Sequence, residues 1–311
     1  MKHKKIAFLS LPIIALLSGC GGGGGGGSSL SQTTFSDWSS ITKPTQVNLE
    51  GISVDYDYTA SSTAVTSVTN NGTDQTATAS VAYRTDGTIS KVVFSTDNVS
   101  QTFDENGTDT IGDSGTTIYG YDQAGQDFFL AADALNSSNS WNYQTFGIWE
   151  TGRGTGSGTA GGITVGSSTS GANIPTSGSA TYSGIFGGVA VDIAGEDAIT
   201  RGNVTLATDF ANRSINFSTS SSQYFAPARS NPSWTSKSSL NMSGTLTYSS
   251  ATNLFTGSVA DTFINGSSGN LGSGSVTGKF YGTNAEEAGG VFNLLRSGTV
   301  MAHGGAFGAK R

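Results

Sequence analysis

Beyond residue 174 the chain is cut into eight short segments of alternating apolar and polar residues, and this spacing restricts the fold more than any other feature. The segments span 180–193, 203–210, 214–219, 240–248, 254–263, 273–281, 290–295 and 299–307. Each has the length of a strand, and alternation places its apolar side chains on one face. One connection, 220–239, is long; the others are mostly short, and Ser297-Gly298 is a hairpin signal between two apolar runs. Eight antiparallel strands can close into a barrel filled by their own side chains. Closure also removes free sheet edges. Glycines within the segments, such as Gly184, Gly187 and Gly188, suit sharp coiling or close packing at barrel corners.

The first half points the same way. Charged residues are only 12% of the 311, while Gly, Ser, Thr and Asn abound. Long amphipathic helices draw on Leu, Glu and Lys, so the composition favours strands. Val54, Tyr56 and Tyr58 alternate with Asp55 and Asp57, giving one apolar and one acidic face. Residues 76–84 and 88–96 flank Asp86-Gly87, a two-residue hairpin signal, and 99–104 ends at the turn pair Asn106-Gly107. Residues 128–135 fit a strand or one to two helical turns equally well, and 141–149 read as an aromatic-rich strand. The fold class is therefore mostly all-β. A β-rich, handle-like part is expected over 35–151 and an eight-stranded antiparallel barrel over 174–311. The Gly- and Ser-rich stretch that begins at residue 152 reads as a linker, assigned to 152–173.

At the N-terminus, Lys2, Lys4 and Lys5 precede an apolar run from Ile6 to Leu17 that is too short to span a bilayer. Leu17-Ser18-Gly19-Cys20 then has the form of a bacterial lipobox. The expectation is a signal peptide over 1–19, with Cys20 lipidated and anchored in outer-membrane lipid. Cys20 is the only cysteine, so no disulfide can form within one chain. Gly21 to Ser29 comprises seven glycines and two serines within a tether assigned to 20–34. Such a coil reaches about 15–18 Å. Removing residues 1–19 leaves 12 basic and 22 acidic groups. The acids are unevenly placed: residues 35–165 carry 15 against 4 basic groups, and residues 173–311 carry 7 against 8. The acidic half is either a solvated surface or a field that steers a basic partner. With no basic stripe in either half, nucleic acid is excluded as the expected partner.

Catalytic patterns are scarce. The mature chain has one histidine, His303, and no Gly-x-Ser-x-Gly. Strand alternation puts His303 on the face of Met301 and Phe307, which favours a packed, hydrogen-bonded residue over a ligand. The Gly-x-Gly-x-x-Gly match at 156–161 lacks a following helix, and Gly278-Lys279 is followed by Phe280, so neither makes a phosphate loop. Asp104, Glu105, Asn106, Asp109 and Asp113 cluster without EF-hand spacing and read as an acidic turn. Asn284 is placed to cap a helical turn, with Glu286 and Glu287 in its first turn and Gly289-Gly290 ending it. Tyr119 and Tyr121 lie on one strand face opposite Ile118. They are partner anchors if Ile118 points inward and core if it points outward. No enzyme, cofactor or metal site is expected.

Residues 278–290 and 305–311 together resemble the end of the C-terminal barrel in the transferrin-binding protein B family of Gram-negative surface lipoproteins, with factor H-binding protein and hemophilin as relatives. Residues 143–149 followed by 174–184 resemble that family's lead-in to the barrel, which softens the boundary and makes 141–149 a candidate to pack on it. The resemblance implies an outer-membrane, cell-surface protein that binds a host or environmental protein or an iron-related ligand. It also implies export by a dedicated outer-membrane translocator that recognises the barrel. It transfers no binding residue. Two other readings stay open, a haem binder and a structural or adhesive lipoprotein. Haem normally takes a His, Met, Cys or Tyr ligand. Residues 35–165 contain no histidine and no methionine, so only tyrosine is left there.

Overall fold

The computed structural model describes residues 31–134, 141–227, 232–265 and 272–311. The expected signal peptide over 1–19, Cys20 and most of the expected tether lie outside the described residues. The first sheet contains β1 (Gln32–Thr34), β2 (Thr45–Ala60), β3 (Val65–Asp74), β4 (Thr78–Tyr83), β5 (Ile89–Ser95) and β6 (Ser100–Asp104). It continues with β7 (Thr110–Asp113), β8 (Thr117–Tyr121), β9 (Phe128–Ala132), β10 (Gln144–Glu150) and β11 (Ser157–Gly166). Its order is β6-β5-β4-β2-β11-β10-β9-β8-β7, with β1 and β3 also on β2. The curled sheet encloses Trp38, Leu49, Phe94, Phe103, Phe129 and Trp149. The ambiguous stretch 128–135 is thus strand β9 as far as Ala132.

The second sheet is the eight-stranded antiparallel barrel. Its strands are β12 (Ser179–Val191), β13 (Asp197–Asp209), β14 (Ser214–Phe225), β16 (Ser243–Tyr248), β17 (Phe255–Ala260), β18 (Gly272–Tyr281), β19 (Glu287–Arg296) and β20 (Ala302–Lys310), with a short β15 (Thr235–Ser236) on β14. The β13–β14 pairing closes the ring. Tyr182, Phe186, Leu206, Phe217, Phe255, Phe280, Phe292 and Phe307 fill it, all at most 2% exposed. The β19–β20 turn has Gly298 at φ 74°, in the left-handed region glycine favours. Among the described residues no helix is long and apolar enough to cross a membrane.

Two sequence expectations are corrected. The stretch assigned to a linker holds β11, which lies between β2 and β10 and pairs with β2 from Ser157↔Thr59 to Gly166↔Glu50. Its glycines serve close approach, not flexibility. A Cβ at Gly162 would overlap the Gly305 carbonyl group on β20, and one at Gly161 would enter the Trp149 ring. Beyond β11 the stretch is tied to the barrel: Thr169 donates its backbone N–H to Phe280 O (2.9 Å) and its hydroxyl to Gly282 O (2.8 Å). The second correction concerns 282–286, which is a turn and not a helical cap. Gly282 (φ 94°) and Ala285 (φ 60°) supply its left-handed residues, while Gly289 and Gly290 lie inside β19. Glu286 caps this turn, accepting from the Asn284 N–H (2.8 Å). Glu287 reaches the first sheet, where its carboxylate accepts the N–H groups of Asn142 (2.7 Å) and Tyr143 (3.1 Å).

That bond belongs to a seam joining the sheets along β2, β10 and β11 on one side and β12, β19 and β20 on the other. Gln144, fully buried, donates its amide to the carbonyls of Ala288 (3.1 Å) and Ala309 (3.3 Å). Phe146 lies against Gly308, and Val291 and Ala306 of the barrel complete the first sheet's core. Residues 144–149 of the 141–149 candidate therefore pack on the barrel as part of strand β10. A seam in which glycine backbones meet and buried amides are paired holds the two sheets in one fixed arrangement.

Candidate cleft between the sheets

On one flank of the seam the sheets diverge and leave an open cleft of about 370 Å³. The first sheet contributes Tyr119 from β8, Leu130 from β9 and Ile148 from β10; the barrel contributes Ile185 from β12, with Ile199 and Arg201 from β13. Gly187 forms part of the floor, close enough that a Cβ there would meet Ile148 at 3.8 Å. Trp234, from the long connection between β14 and β16, closes the barrel side. Ile185 is 42% exposed and Trp234 38%.

Arg201 and Trp234 form a preorganised unit. The guanidinium carbon stands 3.9 Å from the indole centroid, and Nε donates to Gln223 Oε1 at 2.8 Å. Phe225 backs the indole at 5.4 Å. A guanidinium on an aromatic face gains from both cation–π attraction and stacking. On the opposite wall Tyr119 stacks in parallel at 6.3 Å on Tyr121, which lies outside the cleft lining, and the absence of a side chain at Gly112 makes room for the Tyr119 ring. Ile118 packs on the first sheet's core, so both tyrosines point outward. Arg201, Trp234 and Ile185 were not legible as site residues. The available signal was a lone tryptophan in the barrel's one long connection.

The other sequence candidates resolve into structural roles. His303 is fully buried, with Nδ1 3.0 Å from Asp261 Oδ2 and Nε2 3.3 Å from Thr200 Oγ1. Hydroxyl, imidazole and carboxylate in series have the composition of a nucleophilic triad. Here Phe186, Phe263 and Phe292 ring the imidazole and leave no approach for a substrate, and Asp261 also accepts the Ile264 N–H at 2.7 Å. The acidic turn uses its own carboxylates: Asp109 accepts the Asp104 N–H (3.0 Å), and Asp104 pairs with Lys91 (3.2 Å). Among the described residues no group of three His, Cys, Asp or Glu stands ready for a metal ion. Asp55 is buried instead of solvated. Asn71 (2.8 Å) and Asn98 (3.1 Å) donate to it, while burial raises its pKa.

Two further hollows lie in the first sheet. The one inside its core holds about 60 Å³, well below the few hundred Å³ of a small-molecule site. The other, about 670 Å³, is a polar groove lined by charges that answer one another, including Arg84 and Glu105 at 2.7 Å. Of these three hollows among the described residues, the cleft alone combines exposed apolar side chains with a held cation.

Residues 174–311 match the family model described as the C-lobe and N-lobe beta barrels of Tf-binding protein B. The second sheet is thus similar to the barrels that this family model describes. The solved structures that resemble the chain include a tryptophan-to-alanine mutant of the vaccine antigen transferrin-binding protein B from Haemophilus parasuis Hp5. That match has 12% identity and a TM-score of 0.43, covering 83% of this chain and 60% of that one. Isotype 1 transferrin-binding protein B from serogroup B Neisseria meningitidis has 13% identity and a TM-score of 0.38, covering 83% and 58%. A structure described as a surface lipoprotein has 14% identity and a TM-score of 0.42, covering 84% and 98%. The chain thus spans about 60% of the length of the H. parasuis and N. meningitidis proteins. Comparison with curated proteins gives no significant match.

Proposed function

We propose that this protein is a lipid-anchored, surface-displayed binding protein and that the cleft is where it meets a protein partner. The observation that carries this reading is the exposed Trp234–Arg201 stack, set beside Ile185 and facing Tyr119 across a groove between two fixed sheets. Tryptophan, tyrosine and arginine are the residues on which interface energy concentrates. Large apolar side chains gathered in one exposed groove mark a contact surface. The barrel's family is named for transferrin binding, which supports a host protein as the partner class. Cys20 and the glycine tether would hold both sheets clear of the outer membrane, and the barrel would be the part read by an export translocator. No step of the reading requires catalysis.

The test uses the mature protein with Cys20→Ala, immobilised and exposed to serum and, separately, to spent growth medium. A protein retained by this form should be lost from Trp234→Ala and Ile185→Asp variants that melt at the same temperature. A partner held equally by both variants would place binding elsewhere.

A further inference from the structure

Resting on the cleft as the partner site, we infer that its occupant is an apolar peptide segment bearing a single carboxylate, which pairs with Arg201. Every strand lining the groove is already paired on both edges: β8 and β9 with their neighbours, β10 with β9 and β11, β12 with β13 and β20, and β13 with β12 and β14. Among the described residues, no strand that lines the groove has a free edge to take up an added strand, so side chains must do the recognising.

Those side chains set the ligand's chemistry. Among the described residues, Arg201 is the one charged residue on the cleft walls. Its ring-facing side is committed to Trp234 and its Nε to Gln223, and among the described residues no carboxylate lies within ion-pair distance of it. The two terminal nitrogens are therefore left for a ligand. Their fork fits a carboxylate, and the guanidinium's fixed position means little side-chain freedom is lost on pairing. Leu130, Ile148, Ile185 and Ile199 beside it lower the local dielectric and strengthen the pair. A lysine or arginine brought into the same groove would meet Arg201 directly.

The rest of the molecule limits how acidic the segment can be. Residues 35–165 carry 15 acidic and 4 basic groups, and they form the cleft's opposite wall. Beyond about 8 Å that field is screened at physiological salt, so one carboxylate seated at Arg201 escapes most of it. A run of acids along the segment does not. The inferred ligand is thus apolar with one acid, and neither basic nor polyacidic.

The experiment pans a random-peptide display library on the mature Cys20→Ala protein and measures enriched, fluorescein-labelled peptides by polarisation. The variants are Arg201→Gln, Arg201→Lys and Ile185→Asp, each checked for an unchanged thermal midpoint. Enriched sequences should pair Leu, Ile or Phe with one Asp or Glu, and acid runs should be absent. Arg201→Gln should weaken binding by about tenfold or more, and Lys should restore part of it. Peptides without an acid, or bound equally by Arg201→Gln, would overturn the carboxylate inference and leave the cleft reading standing. Peptides bound equally by Ile185→Asp would overturn the cleft itself. Failure to enrich any peptide counts against the inference. So does concentration-dependent dimerisation lost in Ile185→Asp, which would make a second copy the occupant.

Discussion

Replacing Glu150 with glutamine should stabilise the protein above neutral pH and leave it unchanged below about pH 4.5. Glu150 ends β10, outside the cleft lining, and is 7% exposed. Tyr58 Oη lies 3.1 Å from its carboxylate and also donates to Thr151 O at 2.8 Å. Burial is the largest influence on this carboxyl; Arg153 and the Tyr58 bond pull the other way, and Asp197 of the barrel adds repulsion. Together they raise the pKa from 4.5 to about 7. The folded state therefore keeps a proton that the unfolded chain has released. Stability from this group is complete below 4.5, falls as pH rises toward 7 and is flat above that. At 1.36 kcal/mol per unit, the loss is about 3 kcal/mol. Glutamine imitates the protonated form at every pH. Urea unfolding at pH 5, 6, 7 and 8 should show the variant pulling ahead of the wild type by up to about 3 kcal/mol. A constant offset between the two curves would refute the reasoning, because it would mean that Glu150 is ionised throughout.

Gly162→Ala should destabilise by about 1–3 kcal/mol in urea titration, because the new Cβ meets only backbone at Gly305 and Ala306; an unchanged midpoint would show that the seam can part. Cys20→Ala should abolish fatty-acid labelling and recovery with membranes, and label on the variant would show another anchor. Haemin added to the mature protein should give no saturable Soret shift, since residues 35–165 offer only tyrosine as a ligand and their net negative charge repels the propionates. A stoichiometric shift abolished by one tyrosine replacement there would make haem the leading ligand.

How much of this was legible in the sequence depended on whether a residue's role is set by its neighbours in the chain. The eight barrel strands were, because alternation records which face is buried, whatever lies beyond it. So were the turns at Gly87 (φ 89°) and Gly298 (φ 74°), where a backbone conformation selects the residue locally. Glycine in β11 was not. A glycine lacks a side chain both in a solvated coil and where two backbones touch, and only the strand across the gap decides between them. Residues 157–166 read as linker until β20 is set against Gly162. Glu287 looked like a helix cap because its sequence neighbours suggested one, yet its partners are the amides of Asn142 and Tyr143 in the other sheet. The cleft is the fullest case. Tyr119, Ile185, Arg201 and Trp234 come from four separate stretches, and none carries a local pattern that binds it to the others. The sequence alone determined two β-rich units and their strands; the packing of one sheet's glycines on the other's fixed the angle between them, and with it the groove.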